Sequence, residues 1–405
     1  MRAGSLAALT LVAAVLGGGA ALGIGKGAGW FDEGTKTVVV NARTSQAPAA
    51  LPARATSNVG PIPGKGFDPQ RIFAQRSPGV VTIFAYFGDP SSETTEISQG
   101  SGFVISTKGY ILTNSHVITN AGSGTRATAA DHLYVEFADG DREEAKIVGW
   151  DLYDDVGLIR IPSAQHKLTP VPLGESAAVA VGQPVAAIGS PLGNENSLTV
   201  GVVSAIHRSI DAITVRLYKV VDAIQTDAPI THGNSGGPLF DARGRVIGIN
   251  AQIRSQSGSG NDSGVGFAIP IDAAKRSVQQ LITKGKVTYA YVGIETDDMT
   301  PSLARALGYK VDRGALLINV KAGSPAAKAG LEGGDREVDV LGLQNLVSGG
   351  DVIVEIDGMP VQRADDVVRI VSGLKPKDVA VFTIVRGGHR QKLAVTLAER
   401  LLPSD

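Results

Sequence analysis

The sequence predicts a mainly β chain in which antiparallel barrels are followed by a small α+β domain, with a hydrophobic helix at the N-terminus. Short β-branched runs such as Val80–Phe84 and Thr199–Val203 are separated by Gly, Pro and Asp, which is typical of barrels rather than βαβ units. Strands alternate with capped helices only in the C-terminal part of the chain. At 405 residues, two or three domains are expected. The predicted divisions are residues 1–28, 29–66, 67–285 and 286–402.

Residues 1–28 form the predicted hydrophobic helix. No residue between Arg2 and Lys26 is charged, and the stretch is long enough to span a bilayer, although its glycines make it weakly hydrophobic. It is either a single-pass membrane anchor or a signal peptide cleaved near Gly19–Ala21, which would make the protein secreted. The anchor is favoured because no clean A-x-A site is present. In both cases the rest of the chain lies on the extracytoplasmic side, behind an extended linker of residues 29–66.

The composition excludes several classes of function. The net charge is −1 and no basic stripe with interleaved aromatic residues is present, so nucleic-acid binding is not expected. The chain has no cysteine, which excludes disulfides and a thiol nucleophile. No cluster of His, Asp and Glu has metal-ligand spacing, so neither a metal nor another cofactor is predicted.

The most informative segment is Gly233–Leu239, Gly-Asn-Ser-Gly-Gly-Pro-Leu, between two runs with strand character. Glycines permit backbone angles that are closed to other residues, and they leave nothing to block a carbonyl group that approaches the backbone N–H groups. A nucleophile beside an oxyanion hole requires both properties. Ser235 is therefore the candidate nucleophile. The candidate oxyanion hole consists of the N–H groups of Gly233 and Ser235, with Asn234 between them.

The order of the remaining candidates distinguishes two catalytic arrangements. The nucleophile elbow of α/β-hydrolases places the histidine after the serine, but only His389 follows Ser235, in a charged turn. Upstream, His116 follows an apolar strand and Asp155 precedes another. The order His116, Asp155, Ser235 is that of the chymotrypsin-like fold.

This order assigns a role to each side chain. The Ser235 hydroxyl is a poor nucleophile at neutral pH and needs a base within hydrogen-bond reach, which His116 supplies. An acid must hold the imidazole in one tautomer. Asp154 and Asp155 are both candidates, and Asp155 is favoured because the small Gly157 two positions later leaves space beside the ring.

Together with Gly100–Ile105 and Gly264–Pro270, these segments resemble the HtrA (Deg) family of serine endoproteases, and the resemblance runs from about Phe67 to Leu401. It implies a chymotrypsin-like double β-barrel protease domain followed by one PDZ domain. One departure is Thr231–His232, where the family usually has Asn-Pro. Since proline fixes φ, its replacement puts the pre-organisation of the oxyanion hole in doubt.

The resemblance also implies an ATP-independent serine endopeptidase of extracytoplasmic protein quality control, assembled as a homotrimer, that cleaves unfolded or misfolded proteins. The rival interpretation is a catalytically silent PDZ scaffold or holdase chaperone. Pro229 stands six residues before Ser235, where trypsin-like enzymes carry an acid, and Asp227 points elsewhere. The wall of the substrate pocket is predicted to be Asn250, Ala251, Gln252 and Ile253. This wall offers mostly apolar surface, and the resemblance implies small aliphatic residues at the cleaved position.

The C-terminal unit carries the predicted peptide groove. Its carboxylate-binding loop, by resemblance to PDZ domains, is formed by Tyr291, Val292, Gly293 and Ile294. Ser324–Leu331 has a cap, a proline and a glycine stop, and Ala364–Val371 is a helix whose apolar face borders the groove. Such a groove binds C-terminal peptides as an added strand. The alternative is an α+β spacer domain.

A second departure from the family is an insertion at residues 332–350 that mixes charged and apolar residues. Its apolar side chains are expected to pack either on the protease domain or on another subunit.

Overall fold

The computed structural model describes residues 66–92, 94–121, 127–162, 166–190, 196–211, 214, 219–231, 233–251 and 265–400. The predicted hydrophobic helix of residues 1–28 and nearly all of the predicted linker lie outside these ranges. Among the helices within them, none is long and apolar enough to cross a membrane.

The first barrel region is an antiparallel sheet preceded by helix α1, Pro69–Arg76, whose N-cap Asp68 accepts a hydrogen bond from the Arg71 N–H group. The strands of this sheet are β1 Val80–Phe87, β2 Glu96–Val104, β3 Tyr110–Thr113, β4 His132–Glu136, β5 Arg142–Glu144, β6 Lys146–Asp151 and β7 Val156–Arg160. They are ordered β5-β4-β1-β2-β3-β7-β6. The first four residues of β1 are all buried, so this strand is covered on both faces. Helix α2, Ser115–Ile118, follows β3 directly.

The second barrel is closed, with its strands ordered β10-β13-β12-β11-β8-β9. These strands are β8 Pro184–Gly189, β9 Ser197–Asp211, β10 Lys219–Thr226, β11 Pro238–Phe240, β12 Val246–Ala251 and β13 Gly266–Pro270. The mainly β architecture predicted from the sequence is confirmed, with the first seven strands in one antiparallel sheet and the next six in a closed barrel.

One hydrophobic core joins the two barrels. Phe103 and Leu112 of the first sheet belong to the same buried cluster as Phe240 and Ile249 of the second barrel. Helix α3, Ile271–Lys284, follows the second barrel and adds Leu281 to this core. The connections β3–α2, β6–β7 and β10–β11 all leave this shared core, so side chains on them are held by a rigid scaffold.

The C-terminal domain is a sheet ordered β15-β16-β19-β21-β22, with β20 pairing on β19. Its strands are β14 Ala290–Tyr291, β15 Ile294–Met299, β16 Gly314–Val320, β17 Arg336–Val340, β18 Leu343–Ser348, β19 Val352–Ile356, β20 Met359–Pro360, β21 Val379–Arg386, β22 His389–Thr396 and β23 Ala398–Glu399. Its helices are α4 Pro301–Leu307, α5 Pro325–Lys328 and α6 Ala364–Ser372. Ser324 caps α5 by accepting a hydrogen bond from the Ala327 N–H group, as the sequence predicts.

The insertion of residues 332–350 folds as the hairpin β17–β18, whose turn residues Leu341 and Gly342 both have positive φ. Leu346 is 7% exposed and packs with Met299 and Leu316 in a cluster of the C-terminal domain. The expectation that the insertion packs on the protease domain or on another subunit is therefore wrong for its buried face. The alternating pattern of β18 turns Leu346 toward its own domain.

Replacing Leu346 with alanine should lower the free energy of unfolding by about 2–4 kcal/mol, because it removes a buried side chain and leaves a cavity. Chemical denaturation of the purified protein measures this loss. The matched control is Leu343→Ala in the same strand, since Leu343 is 49% exposed. Its expected effect is within about 0.5 kcal/mol. Equal effects of the two variants would contradict the packing described for this hairpin.

Candidate active site

His116 and Asp155 meet where β3 leads into α2 and β6 turns into β7. His116 Nδ1 lies 2.7 Å from Asp155 Oδ2. The other carboxylate oxygen, Oδ1, accepts hydrogen bonds from the Ser115 hydroxyl at 2.7 Å and from the His116 backbone N–H at 3.0 Å. The Asp155 side chain is 5% exposed and that of His116 18%. The ring is thus fixed at Nδ1, while Nε2 on the opposite side faces away from the acid.

The backbone of Asp155 is held as firmly as its carboxylate. Asp155 has φ +50, a left-handed conformation that Asp tolerates better than most residues. Its carbonyl oxygen accepts hydrogen bonds from Asn114 Nδ2 at 2.9 Å and from the Ser115 N–H at 3.3 Å. Ser115 was not singled out in the sequence, although its place directly before His116 is a signal that could have identified it.

Asp154, the alternative acid, is 7% exposed, and the His116 ring bonds its neighbour Asp155 instead. Burial, followed by the negative charge of Asp151, raises the pKa of Asp154 to about 7. The structure therefore brings Asp155, and not Asp154, to the imidazole.

Ser235 lies on a tight turn between β10 and β11. Gly233 and Gly236 have φ +94 and +86, so glycine is needed at both positions. The Asn234 carbonyl accepts a hydrogen bond from the Gly237 N–H at 3.0 Å. Because the peptide bonds here are trans, the Ser235 N–H must point the opposite way. Ser235 itself is 6% exposed.

Ser101 joins this turn to the first barrel. Its N–H donates to the Ser235 carbonyl at 2.8 Å, and its hydroxyl donates to the Gly233 carbonyl at 2.6 Å. The Ser101 carbonyl accepts from the Thr113 hydroxyl at 2.7 Å, on the strand that leads to His116. Ser101 lies in the segment Gly100–Ile105, and a small polar residue between two glycines is a signal that could have identified this role.

The close surroundings of two glycines show that Ser235 lies beside helix α2, which carries His116. A Cβ atom at Gly100 would lie 2.6 Å from the side chain of Val117 and 3.1 Å from the Ser235 carbonyl oxygen. A Cβ atom at Gly236 would lie 3.2 Å from the Asn114 backbone nitrogen. The residues next to His116 and those next to Ser235 are therefore in direct contact, and the structure brings all three predicted residues to one place.

The predicted pocket wall is only partly described. Asn250 is fully buried, and its amide donates to the Pro238 carbonyl at 3.2 Å. Its backbone N–H and carbonyl bond Gly237 and Gly236, so Asn250 supports the serine turn. Ala251 is 5% exposed, whereas Gln252, Ile253 and also His232 lie outside the described residues. In the described ranges no group of three or more His, Asp or Glu side chains could hold a metal ion.

The loop Tyr291–Ile294 lies between β14 and β15. The Val292 and Gly293 carbonyls accept hydrogen bonds from the Ala326 and Lys321 N–H groups, both at 3.0 Å. In trans peptides the N–H groups of Gly293 and Ile294 must then point away from those donors. β15 is an edge strand of its sheet in the described part of the chain, and α6 lies beside it, with Ala364 N–H donating to Asp298 at 2.7 Å.

Comparison with known proteins assigns a separate family to each of the two folded domains. Residues 100–249 match the trypsin-like peptidase domain, and residues 290–397 match the PDZ domain. Protease Do-like 1, chloroplastic, of Arabidopsis thaliana is 40% identical over 81% of this chain and 71% of its own length. A probable periplasmic serine endoprotease DegP-like of Pseudomonas fluorescens is 37% identical over 90% of this chain and 68% of its own. The solved HtrA-type protease AlgW with tripeptide has a TM-score of 0.66 and 31% identity, covering 83% of this chain and 98% of that one.

Replacing Gly236 with alanine should lower kcat for peptide hydrolysis by about 10²-fold or more, the scale of losing an oxyanion donor. The new Cβ atom would lie 2.1 Å from the Ser101 carbonyl oxygen, which forces the serine turn to shift. Kinetics on a chromogenic peptide measure the effect. Gly182→Ala is the control, because Gly182 has nearly the same φ, +85, but no atom within 4 Å. Equal kcat losses in both variants would show that backbone strain, and not the contact with Ser101, is responsible.

Proposed function

This chain belongs to the HtrA (Deg) family of serine endoproteases, and from that premise we propose that it cleaves unfolded or misfolded proteins through His116, Asp155 and Ser235, without ATP. The observation that carries the proposal is the His116 ring, bonded to a buried acid and adjoining the serine turn. Its role is extracytoplasmic protein quality control, regulated by the PDZ domain.

The geometry supports an acyl-transfer mechanism. With Nδ1–H donated to Asp155, the neutral His116 presents Nε2 as the base that takes the Ser235 hydroxyl proton while Oγ attacks the peptide carbonyl. The buried carboxylate stabilises the imidazolium that forms. The N–H groups of Gly233 and Ser235 donate to the oxyanion. His116 then returns the proton to the departing amine, and water hydrolyses the acyl-enzyme by the same route.

The PDZ domain binds C-terminal peptides in the groove between β15 and α6. An edge strand accepts a peptide as an added strand, and the N–H groups of Gly293 and Ile294 receive its carboxylate. Solved relatives described as AlgW with tripeptide and with decapeptide are similar over this part of the chain. At the active site, the apolar pocket wall that includes Ala251 favours small aliphatic residues at the cleaved position.

The location follows from the relatives. Their names describe periplasmic and chloroplastic proteases, which supports an extracytoplasmic location for this chain. Anchoring by residues 1–28 and assembly as a homotrimer stay predictions from the sequence.

The first experiment compares the purified full-length protein with Ser235→Ala on unfolded casein, with and without peptides that end in a hydrophobic residue. Cleavage by the parent alone is expected, because only Ser235 supplies the nucleophile. Acceleration by a peptide is expected if the groove regulates cleavage. If neither form cleaves and both suppress aggregation equally, the holdase interpretation replaces the protease.

Asp155→Asn should lower kcat by about 10³–10⁴-fold while the protein stays folded, since an amide can favour the wrong His116 tautomer. Steady-state kinetics with a peptide substrate measure the loss. The control is Asp139→Asn, which removes another Asp–His hydrogen bond, that of Asp139 to His166 at 2.9 Å on the surface. Its kcat should equal that of the parent. A similar kcat for both variants would exclude Asp155 as the triad acid.

A further inference from the structure

Two acids that have no role in the predicted triad are buried in the turn that carries Asp155. Asp151 is 2% exposed, Asp154 7% and Tyr289 7%. The Tyr289 hydroxyl donates to Asp151 Oδ2. The Ser277 hydroxyl donates to the same Asp151 oxygen at 2.6 Å. None of these groups is used in the proposed mechanism.

The hydrogen bonds are divided unequally between the two acids. Asp151 also accepts from the N–H groups of Tyr153 at 3.0 Å and Asp154 at 3.4 Å, so it has four donors. Asp154 lies three residues further along the same turn, and its own N–H is one of these donors. Two carboxylates buried in one turn repel each other when both are ionised, and one of them retains a proton to higher pH.

The surrounding charges act in the same direction. Burial raises the pKa of Asp151, and burial together with Asp151 raises the pKa of Asp154 to about 7. Asp222 of β10, whose partner is His207, raises the pKa of Asp154 further, whereas Arg276 of α3 lowers it. The groups around Asp154 are thus Asp151 on its own turn, Tyr289, Arg276 and Asp222, and Arg400 lies above the ring of Tyr153.

Tyr289 belongs to the segment that joins α3 to the C-terminal domain. Its ring packs edge-on against that of Tyr153 at 5.3 Å, within the acid turn. Its carbonyl oxygen accepts a hydrogen bond from the Arg400 N–H at 2.8 Å, at the far end of the C-terminal domain. The connecting segment is therefore attached through one buried phenol to the turn that ends at Asp155.

We infer that Tyr289 is a positioning residue for Asp155, and that it holds the turn only while the Asp151–Asp154 pair keeps one shared proton. With the proton, the pair carries a single negative charge, and its protonated carboxyl adds a donor of its own. Without it, two anions are buried in one turn, the turn loosens and His116 loses its fixed acceptor. This inference rests on the proposed triad.

The direction of the pH dependence follows from the raised pKa. An acid whose pKa is higher in the folded than in the unfolded state stabilises the fold below its unfolded pKa, and this stabilisation is lost as pH rises through the folded value. Activity should therefore fall on the alkaline side of about pH 7.

The test is the pH profile of kcat/KM for the full-length protein, from about pH 5.5 to pH 9. In the parent, kcat/KM should fall about tenfold along the alkaline limb of the profile. In Asp154→Asn, kcat/KM should stay level over the same pH range. Tyr289→Phe keeps the ring but should lower kcat about tenfold with little change in KM. Tyr153→Phe is the matched control, since it removes a neighbouring phenol and should behave as the parent.

A second readout does not depend on the triad. In the Ser235→Ala background the denaturation midpoint should fall as the pH rises from about 4, the pKa of an Asp in the unfolded chain, to about 7, and adding Asp154→Asn should abolish that fall. Activity retained in Ser235→Ala would overturn the proposed function, while the midpoint would still report the shared proton. An alkaline limb that persists in Asp154→Asn, or equal kcat in Tyr289→Phe and Tyr153→Phe, would overturn the inference. If Tyr289→Phe does not fold, the pH profile of Asp154→Asn still decides the inference.

Discussion

The burial of one charged group, the Asp155 carboxylate, is the constraint on which the site depends. A buried charge is costly unless donors surround it, and here His116 supplies two and Ser115 a third. These donors come from α2, while the acid comes from the turn between β6 and β7. The two connections must therefore stay side by side for the fold to keep its stability, so the same hydrogen bonds that orient the imidazole also hold these two connections together.

The serine reaches this pair by a different route. Its turn comes from the second barrel, and Ser101 of the first barrel holds it through two hydrogen bonds to backbone carbonyls. The backbone of Gly236 lies so close to Ser101 and Asn114 that a Cβ atom at this position would clash with them. The two barrels can approach this closely here because residue 236 is glycine. The shared core behind them makes this approach rigid, which a site that must hold reacting groups within fractions of an ångström requires.

The sequence was sufficient for whatever is local in the chain. The barrels, the serine turn and the capped helices follow from residue patterns of a few positions, and the order of His116, Asp155 and Ser235 gave the fold type. The choice between Asp154 and Asp155 needed the backbone, because φ +50 at Asp155 decides which carboxylate faces the ring. The contact of Tyr289 with Asp151 spans 138 residues, so no local pattern could predict it.

The buried acid pair is a poor solution for stability alone. A neutral amide at position 154 would fill the same volume and would remove a carboxylate that burial and its neighbours make hard to ionise. Groups with strongly raised pKa values concentrate where a protein uses their charge, and here the pair lies between Asp155 and the segment leading to the PDZ domain. The pair therefore lowers stability at the connection between the two domains. A switch between two arrangements requires an element of such low stability.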